Sequence, residues 1–128
     1  MITDSSRHHR PRLDAARAAL DEAAAAEPGA AVEPLARARA LLDVALDEAM
    51  AEALLAGSSM RSVAEAAGVA PNTVPPRLAR TSALAGYSSP DGRVTAEGVT
   101  RARYDRERGT PPPERTTTVE PLRFRRRT

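Results

Sequence analysis

Asp43 and Asp47 stand four residues apart in a segment with helical patterning, so one turn separates two carboxylates that could share acid–base work. The segment is strongly acidic, however, and a solvated acidic face is the reading that its surroundings favour. His8 and His9 offer two imidazoles, but without a third ligand nearby they do not make a metal site. The chain has no cysteine, which excludes disulfides, thiolate metal sites and cysteine catalysis together. No phosphate-cradling glycine loop and no nucleophile–base set stands out. The expectation is therefore no enzymatic activity, no catalytic residue, no cofactor and no metal.

What remains is charge and hydrogen bonding. All 19 basic residues are arginine, alanine is abundant, Asn72 is the only asparagine, and glutamine is absent. This composition looks like the codon bias of a high-GC bacterial genome, so each arginine taken alone reads equally well as a solvated surface charge. Their distribution says more. Residues 1–56 carry six arginines against ten acidic residues, a balance of −4, whereas residues 57–128 carry thirteen against seven, a balance of +6. An acidic front and a basic back imply that the back meets a polyanion.

The elements that would position these groups are helical. A chain of 128 residues and 13.6 kDa has room for one small core plus tails. With Tyr87, Tyr104 and Phe124 as the only aromatics, that core must be aliphatic. No apolar run approaches the length of a membrane span, and no signal-peptide core follows Met1, so a soluble, cytoplasmic protein without membrane contact is expected.

Residues 1–10 lack apolar periodicity and read as a disordered arm. Helix-forming sequence runs from Pro11 to Glu27 and is stopped by Pro28-Gly29. A second helix is expected from near Pro34 to about Ala56, before Gly57. Its positions Leu35, Ala38, Leu42, Ala45, Ala49 and Ala53 form one stripe, and Leu41, Leu46, Met50, Leu54 and Leu55 widen it beyond a two-helix seam. Residues 11–56 should form a helical hairpin, and its alanine-rich face is expected to pair with a second copy, giving a homodimer.

Residues 57–108 hold the basic part. Ser58 or Ser59 can cap a helix that turns Met60, Val63, Ala64 and Ala67 inward. Gly68 supplies a left-handed turn, Val69 plugs the core, and Ala70-Pro71 opens the next helix, with Val74 and Leu78 inward. The stretch GYSSPDGRVT, with Asp91-Gly92 as a turn signal, is either a small β-hairpin (a wing) or a loop, and it carries Arg93. Thr95 caps a last helix from about Ala96 to Arg108, ended by Gly109. Residues 109–128 form a proline- and arginine-rich tail, expected to be disordered alone and available to a protein partner. The fold class is all-α.

SVAEAAGVAPNTVPPRLAR resembles the helix-turn-helix of lac-repressor-type regulators, resolvases and small phage or plasmid DNA-binding proteins of bacteria. The matching positions are Val63, Ala64, Ala67, Gly68, Val69, Thr73, Val74 and Leu78, and the resemblance covers about 20 residues, the span of one such motif. It implies double-stranded DNA as partner, with the second helix in the major groove. Carried over, Asn72 and Thr73 fall where bases or the nearest phosphates are contacted, Asn72 being able to pair bidentately with adenine. Arg77 and Arg80 would reach base edges or phosphate, Arg61 the backbone, and Arg93 would add a contact from the wing. A small regulator or mobile-element accessory factor, associated with the nucleoid, is the function implied.

The departure from the pattern is Pro75-Pro76, placed where the reading helix should be in mid-turn. Interior prolines cost roughly 3 kcal/mol or more each, and Pro75 should push Val74 out of the α region. A break after Thr73 or Val74 is therefore expected, with a fresh helix led by Pro75 and with Arg77 and Arg80 on its exposed side. The alternative function is a protein-interaction adaptor that keeps the scaffold and uses this proline-broken face.

Overall fold

The computed structural model describes residues 4–114. The fold is all-α. Its helices are α1 (Asp4–Ala25), α2 (Val32–Leu55), α3 (Met60–Ala67), α4 (Val74–Leu78) and α5 (Ala96–Arg108). Short 3-10 turns cover Pro28–Ala31, Pro71–Thr73 and Ala85–Tyr87.

The N-terminal part is the hairpin of α1 and α2. Helix α1 begins at Asp4 and passes through Pro11, so residues 4–10 are helical where the sequence suggested an arm. Pro11 is exposed, which leaves water to satisfy the carbonyl its missing N–H would have served. The 3-10 turn started by Pro28 feeds directly into α2, which therefore begins at Val32, two residues ahead of Pro34. Apart from Pro34, the described residues buried between the two helices are alanines: Ala16 and Ala19 on α1, and Ala31, Ala38 and Ala45 around α2. The alanine face expected to meet a second copy is thus consumed within the chain. Across the seam Arg37 of α2 bonds Glu22 of α1 and, one turn back, Glu33 at 3.0 Å.

The main core forms around the C-terminal half of α2. Met50, Leu54 and Leu55 pack with Val63 of α3, Val74 and Leu78 of α4, and Val99 of α5, joined by Leu84, Tyr87 and Val94 from the connections. Helix α2 therefore serves both layers, with one face to α1 and another to the three short helices.

Local signals set the boundaries of those helices. Ser59 caps α3 by accepting the Ser62 N–H at 3.1 Å, and Thr95 is the N-cap of α5. Gly68 ends α3 at φ 73° and ψ 31°, a conformation that costs an L-residue roughly 1–2 kcal/mol. No strand occurs among the described residues, so the loop reading of Gly86 to Thr95 holds and the wing does not form. The segment turns at Ser89–Gly92, closed by Gly92 N–H to Ser89 O at 2.9 Å and Ser89 N–H to Arg93 O at 2.8 Å. The next donor, Val94 N–H, goes to Pro75 O at 3.0 Å, and its side chain is fully buried. A ribbon cannot extend because its continuation is committed to α4.

After Gly109 the chain runs over Gly86, where an added Cβ would stand 2.1 Å from the Pro113 carbonyl oxygen. The rest of the expected tail, with its expected protein partner, lies outside the described residues, as do the first three residues of the expected arm.

Candidate nucleic-acid interface

The candidate unit consists of α3, the Gly68 turn, the 3-10 turn of Pro71–Thr73, and α4. Val63, Ala64, Val74 and Leu78 hold it to the core. The helical path after the turn is not one helix. Thr73, at φ −90° and ψ −12°, closes the 3-10 turn and α4 follows at once, so the winding changes after Thr73 as expected, but the chain stays helical and the new helix is led by Val74, not by Pro75. Val74 nevertheless keeps α geometry (φ −68°, ψ −48°), against the expectation that Pro75 would exclude it. Its side chain is fully buried, and core packing outweighs the preference of a pre-proline residue. Both prolines consequently fall in the first turn of α4, where no intrahelical acceptor waits for their missing N–H groups.

The six residues expected to contact DNA separate into two groups. Asn72 is exposed, and its carboxamide makes no hydrogen bond among the described residues. Arg61, on the first turn of α3, is exposed and has no side-chain partner among them either. Thr73 is exposed, but its hydroxyl donates to Ala70 O at 2.7 Å, so the proton is used inside the turn. Arg93 is half-buried in the loop beside α4, with no side-chain partner among the described residues.

Arg77 behaves differently. Its side chain is only 19% exposed, and its Nε–H donates to Asp47 Oδ1 at 2.6 Å, with Asp43 3.9 Å from Nη2. It does not occupy the exposed side of α4. Arg80 is 65% exposed and gives one Nη2 bond, at 3.3 Å, to Asp47 Oδ2. Glu48 extends this cleft by accepting Ser82 N–H at 3.2 Å and the Ser82 hydroxyl at 3.3 Å. Asp47 itself is buried, which corrects its reading as part of a solvated face. The signal was available: carboxylates at 43 and 47 and guanidinium groups at 77 and 80 each recur at helical spacing and can meet as a set.

The arginines of α5 are also largely committed. Arg103 donates to Leu54 O at 2.8 Å, at the end of α2, where that carbonyl also accepts the Gly57 N–H at 3.0 Å. Arg106 makes two bonds to Glu52, at 3.1 and 3.3 Å. Arg101 lies over the Tyr87 ring, 5.6 Å from its centroid, and Arg108 over Tyr104 at 5.4 Å. Tyr87 is buried and donates to Asp105 Oδ2 at 2.7 Å. Burial, then that bond and the Asp105 charge, push its hydroxyl up to about 12, with Arg101 opposing in part.

Among the described residues no helix is long and apolar enough to cross a membrane, and no three potential metal ligands come together. No family model matches the chain, and neither a curated protein nor a solved structure shows significant similarity to it.

Proposed function

We propose that this chain binds duplex DNA through the unit of α3, the Gly68 turn and α4, whose first turn holds Pro75 and Pro76. The observation that carries the reading is Asn72: the only asparagine of the chain, exposed just after the inter-helix turn, with its carboxamide unspent. Such a group can pair bidentately with an adenine edge in the major groove. Arg61 before the turn, and Arg80 and Arg93 after it, supply phosphate contacts, while the Thr73 oxygen retains acceptor capacity. Arg77 leaves the contact set and becomes a positioning residue that fixes α4 on α2. With only a 3-10 turn and a short α4 to offer, base readout is confined to Asn72 and its neighbours, and affinity comes chiefly from phosphate. A small regulator or mobile-element accessory factor on the nucleoid of a high-GC bacterium fits this balance.

Equilibrium binding of the full chain to pooled genomic duplex fragments tests the reading. Neutralising about 4–8 phosphates makes log K fall against log salt with a slope of roughly −4 to −7. Absence of binding at low salt overturns it in favour of a protein-interaction adaptor.

A further inference from the structure

The α1–α2 hairpin has two unlike faces. On one, Arg37 ties Glu22 and Glu33 together across the two helices. The opposite one is apolar and exposed. On α2, Leu35 and Leu42 are separated by two turns, within about 20° of each other around the axis, and Val32 flanks them. Exposure is 49% at Leu35, 43% at Leu42 and 69% at Val32. On α1, Leu20 is 43% exposed and Leu13, a heptad earlier, is half-buried. Relative to the alanine seam, these α1 leucines turn to the same side of the antiparallel pair as Leu35 and Leu42, as the position of the Arg37–Glu22 bridge on the other side requires. The leucines of both helices therefore share one face, with Arg39 set between Leu35 and Leu42 at its outer side, distinct from the alanine seam and from the main core.

We infer that this leucine face is the seat of a second copy of the chain, giving a two-fold dimer in which two hairpins form a four-helix bundle. Two observations select a second copy. The rims of the face carry both signs, with Arg17 and Asp21 on α1 and Arg39 and Asp43 on α2, each arginine one turn before an aspartate. A two-fold can therefore set arginine against aspartate along the rim, whereas a rim of one sign would repel its copy. Finally, among its described residues α1 buries only Ala16 and Ala19, both small, so this helix gains little from α2 alone. Its larger apolar groups face the open side. The inference does not depend on DNA binding.

Light scattering on the full chain without DNA, across a wide concentration range, tests it. The expected mass is twice the 13.6 kDa of the chain. Leu35→Glu and Leu42→Glu should each weaken association at least tenfold and bring the mass to that of one chain, with the helical circular dichroism unchanged. Leu35→Ala with Leu42→Ala is the milder variant should a glutamate impair folding, and it should also dissociate. Val44→Glu, on an exposed position away from this face, should leave the dimer intact. A wild-type mass of one chain throughout, or leucine variants that keep the dimer mass, overturns the proposal.

Discussion

Arg77 donates its Nε–H to Asp47 at 2.6 Å, and that bond fixes α4, the shortest α-helix among the described residues, to α2, the longest. Asp47 spends its second oxygen on Arg80, and its own side chain is 9% exposed. Removing the carboxylate leaves a largely buried guanidinium whose remaining acid, Asp43, is 3.9 Å away and 61% exposed. Asp47→Ala should cost about 2–3 kcal/mol. Asp43→Ala, by contrast, should change stability by no more than about 0.5 kcal/mol. Urea unfolding of both variants checks the contrast, and equal effects would remove Asp47 from its role as anchor.

The prolines of α4 yield a prediction opposite in sign to the one their sequence position suggests. Read as interior residues they are costly, and their replacement should stabilise. In the structure they lie in the first turn of α4, where their fixed φ suits the helix and no hydrogen bond is forgone. Pro75→Ala with Pro76→Ala should therefore lower stability, by about 0.4–1 kcal/mol for each proline, because the unfolded chain regains freedom. The bond from Val94 N–H to the carbonyl of residue 75 survives the change. Thermal unfolding decides the sign, and a higher melting temperature in the double variant would restore the interrupted-helix view.

Much of this architecture could be read from local signals, because those signals act locally. Ser59, Gly68, Thr95 and Gly109 cap or terminate helices where the sequence places them, and each does so through its own backbone or side chain. What could not be read was the allocation of surfaces. The wide apolar stripe of α2 looks uniform in one dimension, but Ala38 and Ala45 go to α1, Met50 and Leu54 go to the core, and Leu35 and Leu42 remain exposed. Asp47 illustrates the same gap at the candidate site. Whether a carboxylate on an acidic helix is solvated depends on what arrives from thirty residues later. Composition also misled about α5, whose Arg103 and Arg106 look like a basic surface and instead bond Leu54 and Glu52.

Tyr87 gives the fold an alkaline limit. Its folded pKa, near 12, lies above its ordinary value of 10.0, so the fold favours the protonated hydroxyl. The associated stability is fully present below about pH 10 and is lost as pH rises from there through about 12. At roughly 1.4 kcal/mol per pKa unit, the loss should approach about 2–3 kcal/mol. Tyr87→Phe should flatten the dependence, while costing about 1 kcal/mol at neutral pH for the lost bond to Asp105. Chemical denaturation at a series of pH values between neutrality and this window tests both parts. A decline of equal size in the phenylalanine variant would assign the effect to another group.

Asn72 and Arg77 should separate binding from folding, which is the sharpest consequence of their different surroundings. They lie five residues apart on the same short stretch, and an ordinary reading helix would give both to DNA. Asn72 is exposed and has no side-chain partner among the described residues, so Asn72→Ala should leave stability within about 0.5 kcal/mol of wild type. If the carboxamide reads an adenine, the variant should lose about 1–3 kcal/mol at its preferred sequence and little on random duplex, with the salt slope preserved. Arg77→Ala should do the reverse. It leaves Asp47 buried with Arg80 alone at 3.3 Å, costing about 2 kcal/mol of folding stability. In the fraction that stays folded, DNA affinity should be nearly unchanged, because the guanidinium was turned toward α2 and not toward solvent. Binding measured well below the melting temperature of each variant, on a selected sequence and on random duplex, gives the comparison. An Arg77→Ala protein that melts like wild type but loses DNA affinity would return Arg77 to the contact surface and undo the division of roles between α4 and the turn before it.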